Sequence, residues 1–225
     1  MTGFPPAADK SIRLIDGSSW RFPNIRWSFS HQRELSATVN VWRGGAATSP
    51  LPRALRDDID AIAFTSMDGR ELTWEQSLGL NYTDGILLLH RGAIIYEKYL
   101  GALEPQLPHL AMSVTKSFVG LIAGMLIEEG ALDPDAPVIK YVPELKAGAY
   151  GDATVRQVMD MTIGVQYSEN YTDRNAEIFA YTIAAGIGPR PEGYAGPDSI
   201  FDFLLGLKKQ GEHGQAFAYK TCNTE

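Results

Sequence analysis

The 225-residue chain is long enough for one large domain or two small ones, and its 44% hydrophobic and 21% charged residues place it among globular proteins. A formal net charge of -7 with no basic stripe argues against a nucleic-acid partner. The longest apolar run, residues 118–127, is broken by Gly120 and Gly124 and is too short to span a bilayer. Cys222, the single cysteine, has no partner for an internal disulfide. The first residues show no basic-then-apolar leader, so the expected protein is soluble and cytoplasmic.

In chain order, residues 1–50 read as an irregular arm with aromatic anchors at Trp20, Phe22, Trp27, Phe29 and Trp42. Leu55, Ile59 and Ile62 recur at helical spacing and predict a short helix from Arg53 to Phe64. Two β-rich runs, 85–90 and 93–100, flank Arg91-Gly92 and predict a hairpin. The first run is continuously apolar, the pattern of a strand buried on both faces.

Residues 114–129 carry the strongest helix signal, with Ser113 as its N-cap and Gly130 just past its end. Val114, Phe118, Leu121, Ile122, Met125 and Leu126 cover most of its circumference, which predicts burial. Gly120 and Gly124 share a face and would admit a second backbone closely. Further helices are predicted at 155–161, 176–184 and 199–207, and an extended segment at 215–219. Three regions follow: the arm 1–50, residues 51–130 with the hairpin and the Ser113 helix, and a mostly helical lobe 131–225 with active-site loops.

Ser113-Val-Thr-Lys116 opens that apolar helix. Positions i and i+3 share a helix face, so the lysine amine can reach the serine hydroxyl. A serine nucleophile needs a base, and burial together with a helix N-terminus would favour the neutral lysine that can serve as one. Ser-x-x-Lys also arises by chance about once in a chain of this size. The plain alternative is therefore a capping serine followed by a solvated lysine. No Gly-x-Ser-x-Gly elbow and no His or Cys spacing for a metal occurs, so neither metal nor cofactor is expected.

Three ordered segments carry a family resemblance. Ser113-Val-Thr-Lys116-Ser-Phe118 is followed by Glu129-Gly-Ala-Leu-Asp133-Pro-Asp135 and then by Thr154-Val-Arg-Gln-Val-Met-Asp-Met-Thr162-Ile-Gly164. Together they resemble the class C β-lactamase-like, penicillin-recognising serine hydrolases, although Met161 and Ile163 stand where His and Ser are usual. Arg26-Trp27-Ser-Phe29, Tyr167-Ser-Glu-Asn-Tyr171 and Phe217-Ala-Tyr219-Lys-Thr-Cys-Asn223 are similar to the 6-aminohexanoate-dimer hydrolase subfamily.

The resemblance implies an α+β, β-lactamase-like fold: an antiparallel sheet with helices, the hairpin forming a sheet edge on the Ser113 helix. It also implies a sheet left incomplete by C-terminal truncation, since no Lys-Thr-Gly occurs. The implied chemistry is cleavage of a small-molecule amide or ester through a Ser113 acyl-enzyme. Lys116 would be the base, Tyr219 the proton relay, and Tyr171 and Asn223 the substrate contacts. The usual Tyr-x-Asn reads Tyr219-Lys220-Thr221 here, with Asn223 further on. Some relatives carry an acid that holds a substrate amine; residues 180–184 contain none. A carboxylesterase, a D-peptidase, a β-lactamase and a non-catalytic penicillin-binding-like module remain open, and the oligomeric state is not specified.

Overall fold

The computed structural model describes residues 6–225, which fall into two units dividing between Leu110 and Ala111. The arm of the first unit contains two single-turn helices, α1 (Ile25–Ser28) and α2 (Gln32–Leu35). It is held by polar ties as much as by aromatic rings. The Arg26 guanidinium donates through Nε and Nη2 to Asp84 Oδ1, both at 3.0 Å, and through Nη2 to the Thr83 carbonyl. Trp20 meets Phe29 edge-on at 5.7 Å and Phe22 lies against Tyr82 at 4.5 Å. Trp42, expected as an anchor, is exposed.

The helix expected from Arg53 to Phe64 does not form. Residues near Arg53 run beside the hairpin instead: Ile94 N–H donates to the Pro52 carbonyl, and Ala54 N–H donates to the Ile94 carbonyl. Backbone groups satisfied by a strand edge have no need of a helical ladder, and a tertiary pairing outweighs three periodic apolar residues. The segment continues as a 3-10 turn at Ile59–Ala61 and strand β1 (Ala63–Thr65), which pairs antiparallel with β2 (Glu71–Thr73). Helix α3 (Trp74–Leu80) follows directly, its start fixed by a capping box between Thr73 and Gln76.

The hairpin forms as read, with β3 (Gly85–His90) antiparallel to β4 (Ala93–Tyr99). Arg91 and Gly92 both have positive φ, 51° and 78°, the backbone of a two-residue turn that matches strand twist. Ile86 and Leu88 pack against the small core of Ile59, Leu78 and Tyr96. Leu87 and Leu89, on the alternate face, are exposed. The double burial expected for this strand is therefore absent in this chain, and each sheet among the described residues has two strands.

In the second unit, α4 (Thr115–Glu128) is the longest helix. It stops as expected: Gly130 (φ 73°) donates to the Ile127 carbonyl and Ala131 N–H reaches back to Leu126, the paired bonds of a glycine helix stop. Three other expectations fail. Ser113 is not the N-cap but lies inside a 3-10 turn, Met112–Val114, that leads into the helix. No residue of α4 is buried; Phe118 is 61% and Leu121 64% exposed. Nothing approaches Gly120 or Gly124 within 4 Å of where a Cβ would stand. The helix is apolar all round, as read, but only one of its faces meets other residues of the unit.

The core of this unit lies instead among the short elements that follow: α5 (Val155–Met159), α6 (Glu177–Ala184) and α7 (Ile200–Leu205). Leu145, Ala153, Val165, Tyr167, Tyr181, Phe203 and Leu204 pack there. A capping box of Thr154 with Gln157 starts α5 and the Ser199 hydroxyl caps α7. Gly164 lies where a Cβ would stand 2.7 Å from the Gly211 carbonyl oxygen, so only glycine lets the two backbones meet. Its N–H donates to Nδ1 of His213 at 3.0 Å. That bond puts the ring proton on Nε2, which faces Asp152 Oδ1 at 3.1 Å. Residues 215–219 form no strand.

Candidate functional site

Ser113 enters α4 through a strained residue. Met112 has φ 48°, a left-handed conformation that non-glycine residues adopt at a cost and that concentrates at functional sites. Ser113 is exposed, and its hydroxyl makes no hydrogen bond among the described residues, Lys116 included. Lys116, one turn on and half-buried, places Nζ 5.7 Å from the centroid of the Tyr219 ring. That is cation–π distance. Two residues remote in sequence, singled out for one reaction, therefore meet.

Tyr219 is 43% exposed, and the chain on either side of it is anchored. Ala218 N–H donates to the Met161 carbonyl at 2.9 Å, and Lys220 Nζ donates to the Val165 carbonyl at 2.5 Å. Thr221 N–H donates to Glu169 Oε1. Met161 itself sits at φ 52°, closing α5 with the bond pattern usually given to glycine.

Tyr171 lies on an exposed loop, where its hydroxyl donates to Glu169 Oε2 at 3.2 Å. Partial burial and the neighbouring Glu169 carboxylate raise its pKa, with a smaller contribution from Tyr219. The phenol is thereby held as a hydrogen-bond donor. Lys116 and Tyr219 thus meet, Tyr171 lies close enough to Tyr219 to be affected by it, and Ser113 lies in the turn that leads into the helix of Lys116.

Asn223 occupies a different position. It is 7% exposed, and its Oδ1 accepts from the Tyr150 hydroxyl at 2.9 Å while Nδ2 has no partner. Beside it Cys222 is buried, and desolvation pushes its thiol up to about 11. Tyr150 and Tyr167, which share this interior, are raised well above the usual phenol value by burial first and then by Cys222. Asn223 and Lys116 both line a cavity of about 420 Å³, walled mainly by apolar side chains such as Val119, Leu145 and Phe201, with Thr224 and Glu225 also at its wall. Lys116, Val119, Gly120 and Ala123 form the one face of α4 that meets it.

Sequence reasoning passed over Glu169, Lys220 and Met112. Glu169 stood inside a quoted motif without a role, and a backbone φ leaves no mark on a non-glycine residue. No group of three or more potential metal ligands occurs among the described residues.

Residues 82–225 match the Beta-lactamase family model, a span that includes Ser113, Lys116, Tyr171, Tyr219 and Asn223. The chain belongs to the beta-lactamase family. Within it, the chain is 37% identical over 208 residues to a 6-aminohexanoate-dimer hydrolase of Paenarthrobacter ureafaciens, a match covering 92% of this chain and 50% of that protein. It is also similar to a solved structure from Bacillus anthracis assigned as a 6-aminohexanoate-dimer hydrolase, with TM-score 0.84 and 29% identity. That match covers 97% of this chain and 56% of the other. The chain thus spans about half the length of these beta-lactamase-family relatives, and the fold expected from the resemblance is the one observed, with its sheet incomplete. No described helix is long and apolar enough to cross a membrane.

Proposed function

We propose that the whole protein to which this chain belongs is a serine hydrolase that cleaves an amide bond through an acyl-enzyme on Ser113. The observation that carries this reading is the approach of Lys116 Nζ to the Tyr219 ring. It supports the reading by bringing the candidate base and a phenol together one turn along the chain from Ser113. Ser113 Oγ attacks the carbonyl carbon as its proton passes to the Lys116 amine. The tetrahedral oxyanion collapses, the C–N bond breaks, and the proton reaches the leaving amine by way of Tyr219. Water then attacks the ester, and Ser113 regains its proton by the reverse path.

By analogy with the relatives, the substrate class is a short linear amide of the 6-aminohexanoate type. One observation favours a second reading, a carboxylesterase: residues 180–184 lie within α6 and offer no acid for a substrate ammonium. The deciding experiment uses the full-length protein and its Ser113→Ala variant. Active protein should be labelled by a fluorophosphonate at Ser113 and should hydrolyse both p-nitrophenyl esters and a 6-aminohexanoate dimer. Ester turnover without dimer turnover supports the carboxylesterase. Labelling of the alanine variant at the wild-type rate ends the serine-enzyme reading, and acylation without turnover would mark a non-catalytic ligand-binding module.

A further inference from the structure

The Glu169 side chain hydrogen-bonds to both tyrosine-bearing segments. Its Oε1 accepts the backbone N–H of Thr221, two residues past Tyr219, and its Oε2 accepts the Tyr171 hydroxyl at 3.2 Å. The loop around it is otherwise held by local bonds: Ser168 N–H to Glu177 Oε2 at 2.9 Å, and Thr172 N–H to Asn170 Oδ1 at 3.1 Å. None of these fixes the Tyr171 phenol. The Tyr171 side chain is 68% exposed, so a single hydrogen bond determines where its hydroxyl stands.

We infer that Glu169 is a positioning residue that fixes the Tyr171 hydroxyl relative to Tyr219 by clasping the Thr221 N–H with its other oxygen. This rests on the serine-hydrolase reading, in which Tyr171 faces the substrate. A carboxylate suits the task for two reasons. Both of its oxygens accept, so one rigid planar group can hold two donors on different segments. Its charge strengthens both bonds, and with the single phenol proton committed to Glu169 the Tyr171 oxygen meets a substrate amide N–H as an acceptor. A glutamine could retain one of the two acceptor contacts through its carbonyl oxygen, but without the charge. Alanine retains neither.

The test compares full-length wild type with Glu169→Ala, Glu169→Gln and Tyr171→Phe. Steady-state kinetics on a p-nitrophenyl ester and an amide are combined with NMR titration of tyrosines labelled at Cζ. Glu169→Ala should raise KM by about tenfold, the scale of one charge-assisted hydrogen bond, while kcat falls by less. Glu169→Gln should recover only part of that loss. The Tyr171 resonance should titrate at lower pH in Glu169→Ala than in wild type, and the Thr221 amide resonance should move. Combining Glu169→Ala with Tyr171→Phe should cost no more than either change alone. An unchanged Tyr171 titration with an unmoved Thr221 amide overturns the clasp, whether or not the protein turns over substrate. Normal NMR behaviour in a protein that Ser113→Ala does not inactivate overturns the serine-enzyme reading and leaves the clasp in place. Additive losses in the double variant would show that Glu169 acts on something other than Tyr171, and would also overturn the proposal.

Discussion

The Met161 carbonyl accepts the Ala218 N–H at 2.9 Å, so the residue before Tyr219 hangs from a helix end that is itself in a left-handed conformation. The usual family residue at this position is histidine, yet what the fold uses here is the backbone. Met161 donates to Val158, Thr162 donates to Gln157, and the freed carbonyl turns toward Ala218. The conformation of one residue therefore helps to set the height of the candidate relay tyrosine.

Substitutions at Met161 should follow backbone preference rather than side-chain size. Asparagine tolerates a left-handed φ and should leave stability nearly unchanged, whereas valine should cost about 1–2 kcal/mol. Thermal unfolding of the two variants checks this. Equal losses in both would mean that the Met161 side chain, not its φ, is what matters.

His213 should prove structural. Replacing it with alanine leaves the Gly164 N–H without its acceptor and Asp152 with Lys209 Nζ alone, at 2.5 Å. The expected loss is about 1–3 kcal/mol by chemical denaturation, with little change in the reactivity of Ser113. Gly164→Ala should cost at least as much, because the added methyl meets two carbonyl oxygens under 3 Å away.

The arm should depend on charge. Arg26→Met keeps much of the length and loses both bonds to Asp84, whose side chain is 13% exposed and would keep only His109 at 3.2 Å as a partner. A destabilisation of about 1–3 kcal/mol is expected, visible as faster proteolysis within the first 50 residues. Unchanged protection would show that the aromatic contacts alone hold the arm.

Stability should fall on the alkaline side because of groups in the second unit. Cys222 is raised from 9.0 to about 11, so its contribution is complete below pH 9 and is lost as pH rises through 11. Tyr150 and Tyr167, also raised, add to that loss above pH 10. Native protein should resist a thiol reagent at pH 8 and react only on unfolding, and Cys222→Ser should remove part of the alkaline slope. Rapid labelling at pH 8 would contradict the buried placement.

Much of this fold is legible in the sequence, and the exceptions share a cause. The hairpin, the Gly130 stop and the helices after 155 depend on contacts within a few residues, which leave local marks in sequence. The segment after Arg53 instead satisfies its backbone on Ile94, a distant strand that periodicity cannot see. The expected burial of α4 came from its all-round apolar composition, which reports what a helix could bury and not what stands beside it in this chain. Of the candidate site, motif order singled out Lys116 and Tyr219, which meet, and Ser113, whose hydroxyl bonds to neither. It did not single out Glu169, because an acid that bonds a backbone N–H has no characteristic spacing.

The hairpin has one further consequence. The first half of β4 is already occupied on its outer side by the residues around Arg53, whereas β3 offers its whole length, with Leu87 and Leu89 uncovered. The sheet is therefore a seed with a preferred growing end. Backbone hydrogen bonding discriminates little among extended chains, so an edge left open during synthesis is one that a wrong strand can occupy. Slowing or speeding translation beyond this point should shift the balance between folded and aggregated product, even with every residue unchanged.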